Sequence, residues 1–444
     1  MDHESYHSPF EDRYKGEYTS VIFSDDNRYT TWRYLWMCLA EAEQKCGLPI
    51  SDEQIQEMRN HISDIPYDRV AEIEAETHHD VVAHLRAYAE QCPKAAPIMH
   101  LGATSCYITD NTDVVLMDMA MKNLMCDLEH LIGTLAYTAS LYKNTEMVGR
   151  THFQPAQPVT LGKRCAMWLQ DFQTDFDNLK TQNRQLRMLG CRGATGTADS
   201  FLQLFDGNAD KVEQMEKYII NKMGFRRAFT VSGQTYTRKQ DYYVLQVLSG
   251  IAQSASKFAT DIRLLAGLGE VSEGFGEKQV GSSAMPYKKN PITCEKICGL
   301  SRYVIVGVQN AAITASSQWL ERTLDDSSNR RVVIPEMFIA TETILNLCEE
   351  VLDRLVVDYE CIYGYLEDHR DKAMVEGVLA ESVRRGRNRQ RLHEILRQYS
   401  TTDGNLSAKI AANPEFRLTV EEVQEIRNKT STGLSERQVN NLIS

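Results

Sequence analysis

Apolar residues recur at helical spacing through almost the whole chain. Near the start, Trp32, Leu35, Trp36, Leu39 and Cys46 form most of one apolar stripe. Thr30 or Thr31 is placed to cap that helix, and Gly47 and Pro49 to end it. Ser51 followed by Gln54 reads as a capping box for a short helix with Ile55 and Met58 turned inward. A further helix is expected over 70–90, ending before Pro93. The pattern then lengthens. Helical periodicity covers 111–142, 159–189, 240–268, 291–322 and 336–355, most of them near 30 residues, or roughly 45 Å at 1.5 Å per residue. Five such helices imply an elongated bundle. From about 357 the helices shorten. Only a small hairpin, over 195–204 or 229–236, is expected among strands. The fold class that follows is all-α, a three-domain subunit with a long central bundle. The segments are 1–105 (an N-terminal helical domain), 106–356 (the bundle and oligomerisation domain) and 357–444 (a C-terminal helical domain).

One stretch qualifies this picture. From Tyr303 to Leu320 no residue is charged. Gln309, Asn310, Thr314, Ser316, Ser317 and Gln318 make it too polar to span a membrane. Val304, Val308 and Ala312 form one stripe, and Ile305 and Val306 widen it. A helix apolar over so wide an arc calls for neighbours all round. They come either from other subunits or from full burial within one.

The 444 residues carry 49 Lys and Arg against 61 Asp and Glu, a net charge of −12. That balance excludes a general nucleic-acid footprint and disfavours an anionic membrane surface. An anionic substrate must then meet a local basic site. Eleven cysteines, an odd number with no C-x-x-C spacing, read as reduced, buried thiols of a cytoplasmic protein. Residues 1–10 hold no apolar run of the signal-peptide kind.

Four segments could carry chemistry. Gly281-Ser282-Ser283-Ala284-Met285-Pro286-Tyr287-Lys288-Lys289-Asn290-Pro291 joins two long helices, and Lys288 and Asn290 can stabilise an anion there. Its ordinary alternative is a solvated loop. Thr151-His152-Phe153-Gln154 sets a histidine among short polar side chains, where it could exchange a proton near neutrality or simply bond a carbonyl. His78-His79-Asp80-Val81-Val82-Ala83-His84 has the wrong spacing for zinc, because His79 and His84 are five apart and diverge on a helix. His79 facing substrate, with Asp80 orienting a neighbour, competes there with plain solvated histidines. Glu321 to Arg331 places Arg322, Arg330 and Arg331 among hydroxyls, suited to carboxylates and phosphates or to internal ion pairs. The basic run Arg384, Arg385, Arg387, Arg389 and Arg391 reads as a solvated face. No dinucleotide fingerprint or P-loop is present.

Together these segments resemble the fumarase/aspartase superfamily. The loop 281–291 carries that likeness. Within the superfamily, His100-Leu101-Gly102-Ala103-Thr104-Ser105-Cys106, Thr151 to Gln157, Gly233 to Arg238 and Glu321 to Arg331 are similar to the adenylosuccinate lyases of the eukaryotic type. The resemblance spans most of 13–345 and weakens beyond. It implies a homotetramer whose active sites combine three subunits, and no metal or organic cofactor. It implies cleavage of two purine ribotides, adenylosuccinate and the succinyl-aminoimidazole carboxamide ribotide, each releasing fumarate. It also implies roles. Ser282 is the general base, supported by Lys288, and His152 is the general acid. Lys288 and Asn290 hold succinyl carboxylates. Thr104, Ser105, Thr151 and Gln234 touch the succinyl arm or the base. His79, Asp80 and Arg322 bind substrate, and Arg13, Tyr14, Ser327 and Arg331 lie near the phosphate. One departure stands out: Cys294-Glu295-Lys296 occurs where the family often has Ser-Glu-Arg. Another fumarate-releasing lyase, such as argininosuccinate lyase, and a non-catalytic helical scaffold are the rival readings.

Overall fold

The computed structural model describes residues 4–276, 281, 283–285, 287–402, 404–429 and 431–444. Helices α1 (Thr19–Ile22), α2 (Asp25–Lys45), α3 (Asp52–Asn60), α4 (Tyr67–Thr77) and α5 (Asp80–Gln91) precede the first long helix, α6 (Ser105–Leu141). A hairpin of β1 (Glu146–Thr151) and β2 (Gln154–Thr160) leads into α7 (Leu161–Gln185). The short α8 (Asp199–Leu204) and α9 (Ala209–Lys222) come before α10 (Lys239–Leu268). Strand β3 (Val271–Ser272) pairs with β4 (Val356–Val357), and between them in the chain run α11 (Ile292–Ser317) and α12 (Asp325–Asp353). Six short helices follow: α13 (Tyr359–Ala373), α14 (Val375–Arg384), α15 (Arg389–Ser400), α16 (Leu406–Ala412), α17 (Val420–Asn428) and α18 (Ser435–Ile443).

The chain forms two compact units. One comprises 1–129, 175–255 and 299–346, the other 130–174, 256–298 and 347–444. Each of the five long helices has residues in both.

In the first unit, the stripe on α2 lies in the core, where Trp32, Leu35, Trp36, Leu39 and Cys46 are all buried. The helix begins six residues earlier than Thr30 suggests. Ser24 accepts the Asn27 N–H at 3.3 Å, and Asp25 and Asp26 in the first turn suit the positive helix end. The capping box on α3 forms as expected, Ser51 and Gln54 each accepting the other's backbone N–H. The single helix expected over 70–90 is instead two. His78 turns left-handed at φ 52 and His79 is extended, so α4 stops and α5 restarts at Asp80. Helix α12 starts at Asp325 and runs through Pro335, whose ring did not end it.

In the second unit the hairpin lies at 146–160, not at either expected place; residues 188 and 228 make only an isolated bridge. Its two-residue turn, His152-Phe153, has both φ values positive, 52 and 59. That is the hairpin turn glycine and asparagine normally supply. The C-terminal helices enclose their own core of Met374, Val378, Leu392, Leu396, Ile410 and Phe416. The basic run beside it is not merely solvated. Arg385 forks onto Glu422 at 2.8 and 2.9 Å, and Arg391 meets Glu415 at 2.7 Å.

The charge-free stretch 303–320, most of it in α11, is not fully buried within the chain. Val304 and Val308 are covered, but Val306 and Ile313 are exposed, as are Trp319, Leu320, Leu324 and Val332 nearby in sequence. Among the described residues no helix is long and apolar enough to cross a membrane.

Candidate active site

The break between α4 and α5 opens one wall of a cavity of about 710 Å³ in the first unit. Seven of the expected residues line it: His79, Asp80, Ser105, Gln234, Arg322, Ser327 and Arg331. His79 caps α5, its Nδ1 accepting the Val82 N–H at 3.4 Å. With Nδ1 an acceptor, Nε2 carries the proton of the neutral ring, and it faces Ser105 Oγ at 3.5 Å. His84, by contrast, is buried against Tyr29, ring centroids 3.8 Å apart, and burial pushes its pKa down to about 4. The diverging histidines thus divide into one at the cavity and one in the core.

Asp80 pairs with Arg331, which comes from the start of α12. Burial opposes the Asp80 charge, yet Arg331 wins and holds the carboxyl below its ordinary range. Arg322 donates to Asp326 at 2.7 Å. Gln234 receives the Cys106 thiol at 3.4 Å and donates to the Ala194 carbonyl at 3.1 Å. Thr104 directly precedes α6 and the lining residue Ser105, and its carbonyl accepts the Tyr107 N–H at 2.9 Å.

Beneath these lies a web of buried ions that the sequence reading missed. Arg238 grips both oxygens of Asp110, at 2.9 and 3.0 Å, and reaches Asp326 from Nε at 2.7 Å. Arg330 donates to Asp241 at 2.7 Å and to the Tyr236 hydroxyl at 2.6 Å, and pairs with Asp113 at 3.0 Å. Tyr236 donates its own hydroxyl proton to Asp241 at 2.6 Å. Arg28 reaches Asp113 at 2.9 Å. Burial would raise the pKa of Asp326 and Asp113, but the surrounding arginines hold both down, chiefly Arg238 for Asp326 and Arg330 for Asp113. Both buried arginines carry carboxylates on their forks, which offsets the cost of burying their charge. The available hint was Asp110 and Asp113, two acids three apart near the start of α6.

The expected basic site is therefore more balanced than its sequence suggests. Five arginines line the cavity (28, 238, 322, 330 and 331), with six carboxylates (Asp25, Glu74, Asp80, Asp110, Asp113 and Asp326). Both readings of 321–331 hold in part. Arg330 is spent internally, whereas Arg331 is 58% exposed.

The remaining expected residues do not line this cavity. Arg13 and Tyr14 sit on the N-terminal segment of the same unit, where the Tyr14 carbonyl accepts the Thr343 hydroxyl at 2.7 Å. Thr151, His152, Lys288 and Asn290 belong to the second unit. His152 is exposed at the hairpin tip, and Thr151 lines a second cavity of about 680 Å³. Asn290 donates its side-chain amide to the Gly281 carbonyl at 2.8 Å and so closes the loop between them. Lys288 is exposed, with no ion-pair partner among the described residues. Ser282 lies outside the described residues.

A family model described as Lyase matches residues 10–306. The chain is 41% identical over 399 residues to adenylosuccinate lyase of Schistosoma mansoni, covering 89% of this chain and 83% of that protein. It is 42% identical over 403 residues to adenylosuccinate lyase of Saccharomyces cerevisiae, covering 90% and 83%. Among solved structures, a 3-carboxy-cis,cis-muconate lactonizing enzyme from Pseudomonas putida superposes with a TM-score of 0.85 at 22% identity, over 98% of both chains. A fumarate lyase from Mesorhizobium sp. BNC1 gives 0.84 at 20%, over 97% and 98%. These last two are likenesses of fold: all-α, of the fumarase/aspartase kind.

Proposed function

The chain belongs to the adenylosuccinate lyase family, a fumarate-releasing lyase of purine biosynthesis, and from that premise we propose how its residues divide the work. Adenylosuccinate carries a phosphate and two carboxylates, about −4 in all at neutral pH. The observation that carries the binding reading is the cavity of the first unit. Arg331 and Arg322 reach it on short tethers to Asp80 and Asp326, with Ser327 between them in the chain. Each guanidinium has five N–H donors. Binding an anion exchanges or extends the bonds these arginines already make. The buried web below keeps Asp326 fixed, so little ordering is needed at Arg322 when substrate arrives.

Elimination needs a proton removed beside a carboxylate and a proton given to the departing nitrogen. Ser282 takes the first. Its alkoxide and the doubly charged carboxylate that follows depend on the Lys288 ammonium and on N–H donors. His152 gives the second, and its exposure at a hairpin tip leaves it accessible to a substrate. Then the C–N bond breaks, fumarate leaves, and the purine amine keeps the electron pair and the proton. The same arrangement serves the succinyl-aminoimidazole carboxamide ribotide, whose reacting arm is identical. Neither His152 nor Lys288 lines the first unit's cavity, which supports a site completed between subunits. The exposed apolar residues of α11 and α12 support a homotetramer as the assembly that completes it. A cytoplasmic location suits the reduced thiols.

Fumarate release from adenylosuccinate by the purified protein, beside a His152→Ala control, tests this reading. Release by the native chain, lost at least 100-fold in the variant, supports it. A verified tetramer that releases none, or that releases fumarate from argininosuccinate instead, overturns it.

A further inference from the structure

The N-terminal segment is fastened to the middle of α12 by one buried carboxylate, Glu342, which is 1% exposed. One oxygen accepts the Tyr18 N–H at 2.9 Å. The other accepts the Thr19 N–H at 2.8 Å and the Thr19 hydroxyl. No cation pairs with Glu342 among the described residues. A carboxylate buried this deeply without a cation is costly unless its lone pairs are filled, and here the N-terminal segment fills them. The neighbouring Thr343 holds the Tyr14 carbonyl, and Phe10 packs on Tyr303 with ring centroids 5.4 Å apart. Gly16 completes the seat. A Cβ there would overlap the Glu342 carboxylate and the Thr19 hydroxyl, so only glycine lets the chain lie this close.

What hangs from this seat has a bearing on the site. Upstream are Arg13, exposed, and Tyr14. Downstream is Phe23, which packs on Phe338 of α12 and lines the first unit's cavity, followed by Arg28 on the same wall.

We propose that Glu342 is a positioning residue for ribotide binding: it seats residues 8–24 so that Arg13 and Tyr14 are presented to the phosphate. This rests on the reading of Arg13 and Tyr14 as phosphate contacts. Glu342 touches neither substrate nor the reacting atoms, so it acts on binding and leaves the elimination step alone.

Steady-state kinetics with adenylosuccinate decide it, using Glu342→Ala, Gly16→Ala, their double variant and Arg13→Ala in the full-length protein. Gly16→Ala displaces the segment without altering the carboxylate, so it checks the result if Glu342→Ala folds poorly. The expected outcome is a KM raised ten-fold or more in both single variants, with kcat within two-fold of native. The double variant should be no worse than the singles, because both act through one seat. Partial recovery of KM in Glu342→Asp is expected. A raised KM in Arg13→Ala with native KM in Glu342→Ala and Gly16→Ala overturns the inference and leaves the phosphate reading standing. A native KM in Arg13→Ala overturns the phosphate reading, and the inference with it. A loss of kcat with unchanged KM, or unfolding of both seat variants, makes Glu342 a stability element and overturns the inference alone.

Discussion

Arg322 donates to Asp326 at 2.7 Å, and the second oxygen of Asp326 takes Arg238 at the same distance. One buried carboxylate thus ties an arginine at the cavity surface to one in the floor. Asp326→Asn removes the charge that both cations answer. We expect a stability loss of roughly 3 kcal/mol, the scale for breaking a buried pair from one side. The KM for adenylosuccinate should rise with it as Arg322 loses its fixed base. Chemical denaturation and steady-state kinetics on the same preparation check the two effects. Native stability with a normal KM would count against the web as the support of the site.

Acid should weaken the first unit through its buried histidines. Burial pushes His84 and His100 down to about 4, and Trp36 donates its indole N–H to His100 Nδ1 at 2.8 Å, which requires the neutral ring. Both folded values lie below the unfolded one near 6.5. Their stability is therefore complete above pH 6.5 and is lost as pH falls toward 4, at most roughly 3 kcal/mol each. His84→Phe keeps the stacked ring and removes one titration. Its melting temperature should fall less between pH 7 and pH 5 than that of the native chain.

Glu43 acts in the opposite direction. Its side chain is fully buried, neither oxygen has a hydrogen-bond partner among the described residues, and burial pushes its pKa up to about 9. The unfolded chain releases this proton near 4.5, so stability is present below that value and declines as pH rises toward 9. Glu43→Gln should match the native protein near pH 4.5 and exceed it by a margin that grows through pH 8, to roughly 5 kcal/mol there. A constant difference across pH would refute the assignment.

Lys296 sits exposed in the first turns of α11, where the family often has arginine. Restoring a fork with Lys296→Arg should lower KM for one or both ribotides about five-fold, worth about 1 kcal/mol, with kcat little changed. Unchanged constants for both would remove Lys296 from the site.

The parts of this molecule legible from sequence were those governed by local periodicity. The α2 stripe, the α3 capping box and the five long helices are set by spacing within a few turns. The start of α2 was misplaced because Thr30 and Ser24 are both competent caps, and Asp25 and Asp26 favour the earlier one. The break at His78 was invisible because the apolar pattern continues across it. The ion pair beside it, Asp80 with Arg331, joins residues 251 apart. The same holds for Arg238 and Asp110, which are 128 apart. Motif likeness could name His79, Arg322 and Arg331, but no local rule announces which acids hold which arginines.

The turn at His152-Phe153 puts two side chains in a left-handed backbone that favours glycine, at a cost on the order of 1 kcal/mol each. Glycine at either position would relieve the fold, yet glycine at 152 would remove the proposed proton donor. These positions should therefore separate two kinds of selection. A library sorted for abundance should enrich glycine at both, whereas one sorted for growth without supplied purine should reject it at 152. A turn that looks poorly chosen for folding would then mark where the chemistry has set the residue.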